Sequence, residues 1–320
     1  MPGLLLLQLL LAAIPAATGG AIWQVFPSPT ADALSSLSLL GPDNGWAVGF
    51  SGTVMHWDGT GWFVVPSPSG LTLTCIYMVN PLEGWAVGDG GAIIRWDGTT
   101  WSAAVSPTTK GLNSVFLTDT SHGWAVGFTG TIIRWDGTAW GLQPSPTLND
   151  LFSVHMLGAT DGWAVGDGGV ILHWDGGSWS LSPSPMVSPL YSVFMLTPTD
   201  GWAVGFAGSI VHWDGRRWSV QPTPTGKALT SVFMVDSADG WAVGDSGTML
   251  HWDGGSWAAI PAPTLNVLFS VQLLNSQNGW AVGAAGTILR YSPALGHPSP
   301  PREHIEHEAP RALHDCNGSC

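Results

Sequence analysis

The side chains able to do chemistry in this 320-residue chain stand at fixed, evenly spaced places. Six aspartates occupy Trp-Asp-Gly (Asp58, Asp97, Asp136, Asp175, Asp214, Asp253). Four acids precede Gly-Trp (Glu83, Asp161, Asp200, Asp239), and three follow Gly-Trp-Ala-Val-Gly (Asp89, Asp167, Asp245). Acids beside glycine are mostly turn chemistry, because Asp and Gly tolerate the positive φ of tight turns. Arg95, Arg134 and Arg290 share the position before Trp-Asp or its counterpart Tyr291, one per copy, so they are spread over the fold and not gathered on one substrate. Gly-x-Ser-x-Gly, His-Glu-x-x-His and a phosphate loop are all missing. His314, Cys316 and Cys320 can be written as a metal site, but their spacing suits a local disulfide or free thiols better. We therefore expect no catalytic residue, no cofactor and no metal.

The elements that must position these groups come from one repeat. The tryptophan of Gly-Trp-Ala-Val-Gly recurs from Trp46 to Trp280 at intervals of 39 residues. The tryptophan of Trp-Asp-Gly runs from Trp57 to Trp252, with Tyr291 in the seventh place, and a third series runs from Trp23 to Trp257. Together these contain all 20 tryptophans, and no residue is inserted or lost between copies. In the fifth copy, Leu190 to Leu196 reads as a buried strand, Gly201 to Gly205 as a second, Ser209 to Trp213 as a third, and Trp218 to Gln221 as a fourth. Four short antiparallel strands in about 40 residues make one propeller blade. The fold class expected is all-β, a seven-bladed β-propeller. Bulky indoles would fill the space between blades, and glycine would serve hairpins and close strand approaches. Pro-x-Pro, as in Pro222 and Pro224, is expected in the outermost strand, where a missing N–H does no harm.

The chain enters the repeat with only a fourth strand, Trp23 to Phe26, and the last copy ends after its third. Pairing the two would close the ring, giving a propeller over residues 21–295 and a monomer. Residues 4–17 with the small residues after them read as a signal peptide within residues 1–20. The expected location is secreted, periplasmic or extracellular, with a retained membrane anchor as the alternative; no other segment is apolar enough to span. Residues 296–320 lose the repeat and read as a disordered tail rich in Pro and His. Net charge is −13, with nine Lys and Arg against 22 acids. Nucleic acid is thereby excluded as a partner, since it needs a basic stripe.

Gly-Trp-Ala-Val-Gly-x-x-Gly-x-Ile followed by Asp-Gly-Gly-x-Trp, as in Gly162 to Trp179, resembles the repeat of photosystem II stability/assembly factor-like propellers. Asp175 to Trp179 and Asp253 to Trp257 also resemble the Asp-box (BNR) of sialidase-type propellers, which lies in the hairpin between third and fourth strands. The first resemblance implies a non-catalytic scaffold. The second implies an alternative, a sialidase-like glycosidase with three arginines on a substrate carboxylate, a tyrosine nucleophile and an acid. This chain has three tyrosines, Tyr77, Tyr191 and Tyr291, and its arginines belong to separate copies.

Function should then lie where the copies differ. The turn after Gly-Trp-Ala-Val-Gly carries Phe50, Asp89, Phe128, Asp167, Phe206, Asp245 and Ala284, so aromatic and acidic groups alternate. Loops joining fourth to first strands emerge on the same face and bring Lys110, Asn149 and Lys227 there. This face is expected to dock a protein or a glycan. A second variable series in the innermost strand (Ser38, Tyr77, Phe116, His155, Phe194, Phe233, Gln272) offers Tyr77, His155 and Gln272 as channel candidates.

Overall fold

The computed structural model describes residues 21–293. The expected signal segment 1–20 and the tail 296–320, with His314, Cys316 and Cys320, lie outside the described residues. The described chain forms 28 strands in seven four-stranded antiparallel sheets, a seven-bladed propeller with no α-helix among these residues. In the fifth blade the strands are Leu190–Thr197, Asp200–Gly205, Ile210–Trp213 and Trp218–Val220, running from the axis outward.

Ring closure follows the sequence logic. Ala21–Phe26 pairs antiparallel with Ile288–Pro293 and becomes the outer strand of the seventh blade, with Trp23 opposite Tyr291. Without it, the ladder edge of Ile288–Pro293 would be unpaired. The prolines are displaced from their expected place. The fifth blade's outer strand ends at Val220, and the Gln221 N–H makes the last rung to Ile210 at 2.9 Å. Pro222 and Pro224 therefore follow the ladder, in the connection to the next blade, where losing an N–H costs nothing.

The core lies between blades. The tryptophan of Gly-Trp-Ala-Val-Gly in one blade packs on two indoles of the next: Trp163 lies 4.7 Å from Trp213 and 5.4 Å, edge to face, from Trp218. The same trio recurs at the closure, where Trp241 meets Tyr291 and Trp23. Each Trp-Asp-Gly indole also ties down the first hairpin of its own blade, as Trp174 Nε1 does by donating to the Ala159 carbonyl at 3.0 Å. The third-series indoles, Trp218 among them, have buried N–H groups without an acceptor. They sit in the edge-to-face contacts, and an indole's electropositive edge is favoured against a neighbour's π face.

One feature closes the inner hairpin of each blade and a second links the inner strands around the axis. A Cβ at Gly205 would collide with the Pro189 carbonyl oxygen, so the last glycine of Gly-Trp-Ala-Val-Gly permits a backbone approach no other residue allows. A ladder of hydroxyls then links each inner strand to the next: Ser114 accepts from Val154 N–H, Ser153 from Val193 and Ser192 from Val232, each at 3.2 Å. Cys75 takes one place in this ladder, with its Sγ 3.7 Å from the Val115 carbonyl.

Candidate functional site

Gly-Trp-Ala-Val-Gly ends in a single 3-10 turn in every blade, and the variable residue opens it. In the fifth blade Ser209 N–H closes the turn on the Phe206 carbonyl, and Phe206 N–H donates to Pro189, both at 3.0 Å. The turn is thus tied to the loop that enters the same blade from the preceding one. The second turn residue has positive φ (Ser51, Thr129, Ala207, Ser246 and Ala285 among non-glycines). Phe50, Phe128 and Phe206 are 47%, 40% and 52% exposed, large apolar groups left in water by a turn whose geometry is the same in all seven blades. Asp89, Asp167 and Asp245 open the intervening turns.

The loop residues lie among these turns. A Cβ added at Gly111, next to Lys110, would run into the Phe128 ring and stand 3.9 Å from Asp89 Cα. Asn149 donates through Nδ2 to the Asp167 carbonyl at 3.0 Å. Lys227 borders a cleft of about 250 Å³ with Ser246 and Gly247. Sequence reasoning missed another series on this side. The second residue of each inner strand falls at a register shift: Thr74, Asn113, Phe152, Tyr191, Thr230 and Phe269 among them. Such bulges re-aim side chains. Thr74 and Asn113 use theirs to bond the next blade's Leu112 and Leu151 carbonyls at 2.6 and 2.8 Å. Phe152 has no donor and Tyr191 makes no such bond, and their rings sit 5.5 Å apart. Burial raises the Tyr191 hydroxyl above its ordinary pKa, and the nearby Asp245 and Asp167 carboxylates raise it further. The only signal in the sequence was variability directly after the recurring leucine that opens each inner strand.

The groups named for catalysis are taken up by structure. Asp97 accepts from Thr99 N–H and Thr100 N–H at 2.8 Å and from the Thr99 hydroxyl at 2.7 Å. These donors hold its carboxyl, and that of Asp136 in the equivalent turn, down at about 2. Arg95, Arg134 and Arg290 each lie over a different blade's tryptophan, 5.2 Å from Trp85, 5.3 Å from Trp124 and 5.3 Å from Trp280. His173, His212 and His251 fill the same position in other blades and bond Asp161, Asp200 and Asp239 at 2.8–3.0 Å. Tyr291 is part of the closure trio, so neither arginines nor tyrosines converge. Among the described residues no group of three or more His, Cys, Asp or Glu could hold a metal.

The inner-strand series lines a cavity of about 320 Å³ at the axis, where Tyr77, His155 and Gln272 all lie. Gln272 Oε1 accepts from Leu39 N–H at 2.9 Å, and Ser38 accepts from Met78 N–H at 3.0 Å.

No protein-family model matches the chain, and no curated protein matches it. Among solved structures it is similar to YCF48 from Cyanidioschyzon merolae, with 20% identity, 84% of this chain and 98% of that chain covered, and a TM-score of 0.70. It is similar to YCF48 bound to a D1 peptide, with 19% identity, coverage of 86% and 99%, and the same TM-score of 0.70. The WD40 β-propeller domain of Doa1 superposes with a TM-score of 0.73 at 13% identity, with coverage of 85% and 97%. At such identities the likeness is one of fold: a seven-bladed β-propeller of four-stranded antiparallel blades, shared with YCF48 and WD40 propellers alike.

Proposed function

We propose that this protein is a non-catalytic binding scaffold that docks a protein segment on the face carrying Phe50, Phe128 and Phe206. The observation that carries this reading is the exposure of those three rings in a turn that is otherwise structurally invariant. Asp89, Asp167 and Asp245 stand between them, so the face offers apolar anchors separated by charge, the composition of a recognition surface. A propeller of this fold, YCF48, is known bound to a D1 peptide, which supports peptide recognition as work the architecture can do. The acids and arginines that a glycosidase would use are engaged in turns and blade interfaces, which favours binding over hydrolysis.

The test is selection of a random peptide display library on the immobilised protein, with a glycan array in parallel. Peptides should be enriched, and replacing Phe50, Phe128 and Phe206 together by Ser should weaken them by at least about tenfold, as for aromatic hot spots, with the melting curve unchanged. A variant that unfolds would make the phenylalanines packing residues. Binding confined to the glycan array would move the ligand to sugars, and release of sugar from any glycoside would overturn the non-catalytic reading.

A further inference from the structure

The axial cavity is asymmetric in a way that the repeat does not require. Five rings from consecutive blades form a continuous wall: Tyr77 to Phe116 at 4.5 Å, Phe116 to His155 at 4.6 Å, His155 to Phe194 at 4.8 Å and Phe194 to Phe233 at 4.9 Å. The remaining arc carries Gln272 and Ser38, whose side-chain oxygens already accept from neighbouring backbone N–H groups. Within the aromatic wall His155 stands out. Neither ring nitrogen has a protein partner, Nδ1 lying buried and Nε2 left as the nitrogen with accessible surface, although a phenylalanine occupies the same position in three other blades (Phe116, Phe194, Phe233). An imidazole in place of a phenyl ring packs with less apolar area and brings polar atoms out of water, which costs free energy unless something bonds them. A cavity of about 320 Å³ falls at the small end of ligand sites, which are apolar with a few placed polar groups.

We propose that the axial channel is a binding site for a small aromatic ligand carrying one O–H or N–H, which lies against the ring wall and hydrogen-bonds the His155 imidazole. The Phe116 and Phe194 rings on either side line the cavity and supply apolar contact area, and the histidine supplies the orientation. Burial lowers the imidazole's pKa to about 4, so at neutral pH it is uncharged, and with its one proton on the buried Nδ1 it offers Nε2 to the ligand as an acceptor. This site is separate from the Phe50, Phe128 and Phe206 face, and its fate does not depend on that face being a docking surface.

The test is ligand-observed saturation-transfer NMR with phenol, indole and toluene as probes. Carbon-13 labelled histidine in the wild-type protein locates them. Phenol and indole should bind with dissociation constants of about a millimolar or less and shift the His155 ring resonances. Toluene, of similar size but without a donor, should bind about tenfold more weakly, because it leaves the nitrogen unpaired. His155→Phe should erase that preference. Equal affinity for phenol and toluene, no saturation of any probe, or binding that leaves the His155 resonances unmoved would each overturn the proposal. The labelled wild-type measurement decides the matter even if the variant folds poorly.

Discussion

At the scale of single residues, the clearest chemical consequence of the fold is at His155. Its pKa falls from 6.5 to about 4 because the imidazole is desolvated. Between those values the unfolded chain takes up a proton that the folded protein refuses. Stability is therefore full above pH 6.5, falls as pH drops toward 4, and stops changing on this account below it, a loss of up to about 3 kcal/mol. His155→Phe, the residue found in neighbouring blades, should flatten the stability profile between pH 6.5 and 4 in urea titrations. A profile as steep as wild type would show that another group titrates there. Asp97 and Asp136 act in a separate window, because their carboxyls are held down at about 2 from an ordinary 3.8. The help they give is present above 3.8 and is lost as pH falls from there to about 2.

At the scale of the element, each blade depends on backbone approaches that only glycine permits. Gly205→Ala would force the strand end away from the Pro189 carbonyl. This should cost about 2–4 kcal/mol in denaturant unfolding, toward the upper range for overpacking. By contrast Gly141, around which a Cβ would meet nothing within 4 Å, should accept alanine with a change under about 1 kcal/mol. Equal costs at the two sites would mean that the close approach is not what requires glycine. The element boundaries were readable because Asp-Gly and the recurring tryptophans punctuate every strand. The prolines were placed in the outer strand although the ladder ends before them, since the sequence shows that an N–H is missing but not which rung the ladder ends on. The bulge after the leading leucine of each inner strand had no signal beyond variability, so Phe152 went unnoticed and Tyr191 was weighed only as a nucleophile.

For the whole molecule, closure is the decisive contact. Ala21–Phe26 brings Trp23 against Trp241 and Tyr291, and Phe26 against Trp57 and Trp280, so one strand serves the seventh blade and both of its interfaces. Deleting residues 1–28 removes the paired edge and a tryptophan whose loss alone costs about 3–5 kcal/mol. The melting temperature should drop by about 10 °C or more, at roughly 2–4 °C per kcal/mol. Adding back the Ala21–Phe26 segment as a peptide at high concentration should recover part of it. An unchanged melting curve would mean that the ring is not held by this strand.

What the sequence determined by itself was the architecture: an unbroken period of 39 residues admits one blade design, and a lone fourth strand at one end with a missing one at the other admits one closure. Periodicity carries that information because each blade repeats the same local problem of burying indoles and making tight turns. The candidate sites are another matter. Alternation of Phe and Asp in the turns was visible in the sequence, but whether the rings are buried or exposed depended on how the turn sits on the loops around it. Likewise the inner-strand series was visible, but that five rings meet in one wall, with His155 Nδ1 left unbonded, follows only when seven blades converge on an axis. Those distances are set between copies 39 residues or more apart, where pattern within a copy says nothing and tertiary packing decides.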